Sequence, residues 1–259
     1  MEPATSPAPG SPLLLPGPAW PGVRMACTTR AGGASAGPFG GFNLGAHVGD
    51  EPAAVAANRE RLQRLLPGAP RWLEQVHGTA VADVDALPAD AVPRADAAVT
   101  RRPGTVLAIM TADCLPVVIA DARSSVLAVA HAGWRGLLAG VLEQAVTAMA
   151  VGPGVPVRAW LGPAIGPQAF EVGDEVRAAF VAEDPACACA FAATGGHDAQ
   201  GAPKWLADLP ALAQHRLRRA GVGVVVHSGL CTVAESDRFF SYRRDGRTGR
   251  FATLAWLEA

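Results

Sequence analysis

From Val106 to Ala130 the chain reads as three short apolar runs, Val106–Met110, Pro116–Ala120 and Val126–Ala130, separated by brief polar breaks. Runs of this length without alternation predict strands buried on both faces. Further strand-like segments are Val23–Thr29, Arg71–Val76, Ala80–Val84, Arg158–Leu161, Val222–Val226 and Arg250–Trp256. Helical spacing takes over from Gly136 to Ala150, where Leu137, Leu138, Val141, Leu142, Ala145 and Val146 form one stripe. A second helix is predicted from Glu51-Pro52 to about Leu66, with Asp50 as its cap and Pro67 as its stop. Val172–Ala182 and Leu209–Ala220 complete the helices, the latter opened by Asp208 ahead of Pro210. Strands and helices follow one another without regular alternation, which predicts an α+β fold. Neither a repeat nor a linker divides residues 23–259, so they are expected to form one domain. The preceding residues 1–22 are proline-rich and read as a mobile tail, and Ala31–Gly45 as a glycine-rich loop.

Composition narrows the function. In 259 residues, half are hydrophobic (50%) and 17% charged, which excludes a largely disordered chain. A formal net charge of −1 provides no basic field, so sequence-independent nucleic-acid binding is not expected. Gly, Pro or charge interrupts every apolar run short of a membrane span. Five cysteines at uneven spacing do not make a secreted disulfide framework. With no basic region at Met1-Glu2 and only Leu13-Leu14-Leu15 as an apolar core, no signal peptide is read, and the expected location is the cytoplasm.

The candidate chemistry sits where apolar runs meet turns. Leu73–Gly78 carries His77, Thr111–Pro116 carries Asp113 and Cys114, and His131–Gly136 carries His131. Two histidines and a thiolate make a three-ligand zinc site with a fourth position open. The same residues suit a thiol nucleophile activated by an imidazole. Spacing does not choose between these, and an inert buried thiol with a satisfied histidine is the third reading. Cys187 and Cys189 with His197 are too few for a second metal site, and Trp134 and Cys231 read as structural.

These segments, in this order, resemble the YfiH-like family, also called multicopper polyphenol oxidoreductase (laccase) domain proteins. The resemblance runs through Gly41–Gly45, Val48–Asp50, Asn58-Arg59, Gln75–Gly78, Thr111–Pro116, His131–Gly136, Gly162–Gly166, Phe239–Gly246 and Thr248–Arg250. It implies a layered α/β/β/α domain with mixed sheets and a cytoplasmic zinc enzyme. Family members are described as purine nucleoside phosphorylases acting on adenosine, inosine, guanosine and methylthioadenosine, some also deaminating adenosine. The family's metal positions fall on His77, Cys114 and His131, all intact. Asp113 is a candidate for orienting a ligand histidine or for acid/base work. Arg59, Arg135, Arg243 and Arg244 are candidate phosphate ligands, and Asn43 a candidate for base or ribose. Copper, implied by the laccase name, fits less well, because a multicopper site needs more histidines than these. An alternative drawn from how some relatives are named is a Cys-His amide hydrolase editing peptidoglycan precursors. Gln168 stands where many relatives carry cysteine. Purine nucleosides and phosphate are the expected partners, with neither nucleic acid nor membrane, and the oligomeric state is left open.

Overall fold

The computed structural model describes residues 13–259. Three apolar strands anchor the fold: β5 (Leu107–Thr111), β6 (Leu115–Asp121) and β7 (Leu127–Ala132), every residue of each buried. A six-stranded mixed sheet has β6 and β7 at its centre, flanked on one side by β8 (Val157–Leu161) and β12 (Val224–His227). On the other side lie β4 (Ala97–Thr100) and β3 (Val81–Asp83). The β8–β12 and β3–β4 pairs are parallel and the others antiparallel. A four-stranded sheet runs β1 (Leu14–Pro16), β2 (Val23–Thr28), β13 (Phe251–Leu257), β5.

Side-chain alternation assigns each face of these sheets. Along β6, Leu115, Val117 and Ile119 join a core with the helices α2 (Trp134–Ala139), α3 (Val141–Met149), α4 (Asp174–Glu183) and α5 (Leu209–Arg219). Val118 and Ala120 face the four-stranded sheet and pack with Cys27, Leu107, Ile109 and Phe251. The far face of that sheet, through Ala108, Met110, Ala252 and Leu254, packs with Phe42, Leu44 and Leu62 of α1 (Pro52–Gln63). The order is helices, six-stranded sheet, four-stranded sheet, helix: the α/β/β/α layering expected above. Period-two burial on both faces is what forces two sheets into contact.

Several elements depart from the sequence reading. The stretch read as a mobile tail is partly in the sheet: β1 pairs with β2, and Leu13, Leu14 and Leu15 pack against the two flanking cores. Residues 1–12 of that stretch lie outside the described residues. The expected strand Arg71–Val76 makes only single bridges, at Arg71 to Leu107 and Glu74 to Arg94. There Gln75 inserts its amide instead, Oε1 accepting the Met110 N–H and Nε2 donating to the Met110 carbonyl. The helix read over Gly136–Ala150 is two, broken at Gly140, whose φ of 99° a β-carbon would resist. Asp50 does not cap α1; its carboxylate takes the N–H of Glu51 and the Asn43 amide. A three-stranded sheet of β9 (Glu171–Gly173), β10 (Phe191–His197) and β11 (Pro203–Ala207) was not foreseen, because Phe191–His197 is rich in alanine and glycine. A final short helix, α6, spans Tyr242–Asp245. Among the described residues no helix is long and apolar enough to cross a membrane, and all five cysteines are free.

Candidate functional site

β7 ends by presenting His131, β6 begins just after Cys114, and the irregular Arg71–Val76 segment delivers His77 beside them. Their ligand atoms lie within 4.8 Å of one another, and they are the one such group among the described residues. Cys114 Sγ is 3.8 Å from His77 Nε2. A tetrahedral zinc ion sets its sulfur and nitrogen ligands about 3.5 Å apart, so small adjustments close the set around an ion. His77 is exposed, Cys114 half-buried and His131 buried, leaving one side open.

The set is assembled by a residue the sequence reading passed over, Asp96. Its fully buried carboxylate accepts the consecutive N–H groups of Val76, His77 and Gly78 at 3.1, 2.9 and 2.7 Å. His77 adopts φ 61° as the backbone curls these donors around the carboxylate. The same carboxylate holds His131 Nδ1 at 2.8 Å, and the Asp96 carbonyl accepts the His131 N–H at 2.7 Å. One side chain therefore fixes the His131 ring and the His77 backbone, and it leaves Nε2 of His131 as the nitrogen free to bind. Burial opposes the charge on Asp96, but His131 and the backbone donors outweigh it and hold the carboxyl below its usual range. Burial likewise pushes the Cys114 thiol up, and His131 and then His77 overcome that, bringing it to about 6. His131 itself, disfavoured as a cation by burial, is raised to about 9 by Cys114 and Asp96. The result is a thiolate facing an imidazolium, or, with both protons released, a ready ligand set for a cation.

Gly133 is required between them. A β-carbon there would stand 2.9 Å from His77 Cδ2 and 3.0 Å from Cys114 Sγ. This explains the glycine in the His131–Gly136 segment as a space requirement at the start of α2.

The three side chains open onto a cavity of about 650 Å³ that is also lined by Gln75, Asp113, Trp134, Arg135, Ile165, Phe170, Leu209, Tyr242, Arg243, Arg250 and His47. Asp113 borders this space, yet its carboxylate accepts the Thr232 hydroxyl at 2.6 Å and the Arg243 N–H at 2.7 Å, with its backbone at φ 90°. It orients the α6 segment, and the carboxylate that orients His131 is Asp96. Arg135 lies over the Trp134 ring at 4.4 Å, and Arg243 donates to the carbonyls of Ala169 and Glu171. Arg59 is elsewhere, stacked on Trp72 at 4.4 Å and donating to the Leu44 carbonyl. Arg244 is spent on the carbonyls of Thr232, Val233 and Phe239 and on Asp245. Asn43 is fully buried, its Oδ1 taking the N–H groups of Gly45 and Arg250. Each of these three stabilises a loop instead of facing the cavity. Gln168 is exposed and outside the lining, and Cys231 accepts the Gly166 N–H at 3.2 Å. His47, Tyr242 and Arg250, unclaimed by the sequence reading as site residues, do line the cavity. Arg250 had a visible signal in its Thr248-Gly249-Arg250 motif but was read as the first residue of a strand.

A family model described as multi-copper polyphenol oxidoreductase laccase matches residues 24–258. The chain is 49% identical over 244 residues to a purine nucleoside phosphorylase of Pseudomonas aeruginosa, covering 93% of this chain and 97% of that protein. It is also 49% identical over 245 residues to purine nucleoside phosphorylase YfiH of Escherichia coli (strain K12), with 93% and 97% covered. Among solved structures, a Neisseria meningitidis DUF152 protein superposes with a TM-score of 0.87 at 47% identity, over 96% of this chain and 100% of that one. Bacillus licheniformis YfiH gives 0.83 at 29% identity, over 96% and 98%. With residues 24–258 matched by that model and nearly the full length of these relatives covered, the chain belongs to the YfiH-like, multi-copper polyphenol oxidoreductase laccase family.

Proposed function

We propose that the protein is a zinc-dependent purine nucleoside phosphorylase acting on adenosine, inosine, guanosine and methylthioadenosine, with adenosine deamination as a second activity of the same centre. The observation that carries this reading is His77, Cys114 and His131 converging at a cavity of about 650 Å³, within the range that encloses small ligands. Relatives at 49% identity over nearly their whole length bear the phosphorylase name. One thiolate and two imidazoles in an open three-ligand set suit zinc better than the several histidines of a multicopper centre. The five free thiols fit a cytoplasmic setting.

In phosphorolysis a phosphate oxygen bonds to ribose C1′ as the C1′–N9 bond breaks. Its electron pair passes to the purine, which takes a proton from phosphate or water. His77, Cys114 and His131 would hold the zinc, which would supply Lewis-acid polarisation when bound. Phe170, Ile165 and Leu209 give the purine an apolar wall, and Trp134 contributes a ring at the mouth. Arg135 and Arg243 bring positive charge to the rim. Asp96 holds the His131 ring and the His77 backbone in place.

A second reading is favoured by one feature, the line of Asp96, His131 and Cys114, in which a carboxylate orients an imidazole facing a thiolate. That is the arrangement of a thiol amide hydrolase. Purified protein with its metal quantified, assayed with inosine and adenosine for phosphate-dependent release of free base, separates the two. About one zinc per chain with release that needs phosphate supports the phosphorylase. Metal-free protein inert to nucleosides transfers the bet to the thiol hydrolase.

A further inference from the structure

Beside the main cavity lies a second lobe of about 490 Å³, lined by His47, Tyr242, Arg247, Thr248 and Arg250 with two neighbours. His47, Tyr242 and Arg250 border both spaces, so the two adjoin across these side chains. No carboxylate lines the lobe. Its cations are held in place from behind. Arg250 is half-buried, its Nη1 fixed by the carbonyls of Thr248 and Gly249 at 3.1 and 3.0 Å and its N–H by Asn43 at 2.8 Å. Arg247 donates Nη2 to the Gly49 carbonyl at 2.9 Å and lies over the Phe39 ring. Each guanidinium keeps further donors unused, since five are available.

Two more groups wait without partners among the described residues. Thr248 is 2% exposed and its Oγ1 makes no hydrogen bond. A buried hydroxyl in that condition carries a desolvation cost that a ligand would remove. His47 is exposed at the junction and makes no hydrogen bond there. Burial first, then the nearby charges of Arg250 and Arg59, push its imidazole below the ordinary value. A space with fixed guanidinium donors, an unsatisfied hydroxyl and no carboxylate in its walls selects for a compact oxyanion.

We propose that this lobe binds a phosphate oxyanion, namely the free inorganic phosphate consumed in phosphorolysis, with Arg250 and His47 as its principal contacts and Tyr242 at the threshold to the nucleoside. The identity of the anion as a co-substrate rests on the phosphorylase reading; the anion site itself does not. The assignment moves the phosphate site away from Arg244, whose donors the fold consumes, and from Arg59, which lines neither space.

The test compares the metal-replete full chain with His47→Ala and Arg250→Met, measuring KM for phosphate, KM for inosine and metal content. Phosphate KM is expected to rise ~10-fold or more in Arg250→Met, the loss of a charge-assisted contact, and ~3- to 10-fold in His47→Ala, the loss of a neutral hydrogen bond. Inosine KM should rise less than phosphate KM in each variant, with metal content unchanged. His47→Ala carries the test if Arg250→Met disturbs its loop, because His47 is exposed and supports no other residue. Binding of inorganic phosphate without nucleoside, followed by ³¹P line broadening, reads the lobe directly. If the wild-type protein binds phosphate there, and His47→Ala weakens it, yet no base is released, the phosphorylase reading falls and the anion site stands. Unchanged phosphate affinity in both variants overturns the site. Adenosine 5′-monophosphate serves as the competing source. Should it bind at least ~10-fold more tightly than adenosine, with that gain lost in Arg250→Met, the lobe takes a phosphate carried by the substrate and the proposal fails.

Discussion

His131 and Arg244 are both gripped by a carboxylate, Asp96 in one case and Asp245 in the other. For His131 the grip uses only Nδ1 and leaves the second nitrogen facing the cavity. For Arg244 the grip is part of a cage, with three carbonyls taking the remaining donors. The centre around Cys114 is thus a place where the fold orients groups and spares their reactive atoms. Around Arg244 the fold consumes them instead. A charged residue in a recognisable motif does not declare which of these it is, because a guanidinium with five donors can serve as scaffold and leave nothing over.

The contrast is broken most severely at Cys114. Cys114→Ala should lose the bound metal and reduce phosphorolysis by more than ~10³-fold, measured by elemental analysis and base release. Full activity in that variant would remove the three-ligand scheme altogether. Gly133→Ala should follow, because the new methyl meets His77 and Cys114 near 3 Å while the sheet behind is untouched. Metal affinity is expected to fall ~10–100-fold with a melting temperature close to wild type; chelator competition and calorimetry report the two separately. Arg244→Met tests the opposite side. It should cost about 2 kcal/mol of stability in denaturant titration, since Asp245 and three carbonyls lose a charged donor. Metal content and nucleoside KM should not move.

The smallest effect is a shift in pH dependence. In metal-free protein, alkylation of Cys114 by iodoacetamide should be half-maximal near pH 6, instead of the ordinary thiol range above 8. The sign follows from the thiolate being the reactive form: the rate rises through pH 6 and is lost below it as the sulfur is protonated. Zinc should suppress the reaction at every pH. A midpoint above 8 would mean that His131 and His77 do not face the sulfur as charged partners.

What the sequence revealed follows the same division. Val106–Met110, Pro116–Ala120 and Val126–Ala130 were legible as strands because both faces are buried and no polar residue interrupts them. His77, Cys114 and His131 stood out because each lies where a strand-like run meets a turn, and the family resemblance, not their spacing, marked them as a set. Asp96 was not, being a single acidic residue before Ala97–Thr100, whose alanines hide a strand of the central sheet. Its importance comes from three N–H groups about twenty positions upstream and one histidine downstream, a convergence that only tertiary structure makes. Asp113 misled in the reverse sense. Next to Cys114 in sequence, it is turned by its φ of 90° toward Thr232 and the backbone of Arg243. Asn43 and Arg59 sit in motifs that resemble the family closely, and in both the side chain is needed to hold a loop shut.

One strand carries a consequence for how the molecule comes into being. β13 lies between β2 and β5, which pair with it and not with each other. As the polypeptide emerges from a ribosome, the four-stranded sheet has an empty slot at its centre until residues 251–257 are made. Pairings so distant along the chain close slowly. Until then Phe251's place in the core beside Leu107 and Ile109 is vacant, and two long strand edges stand exposed to neighbouring nascent chains. Arg250 enters immediately before that strand, so the same closing event that seals the sheet also brings the lobe's half-buried cation into position.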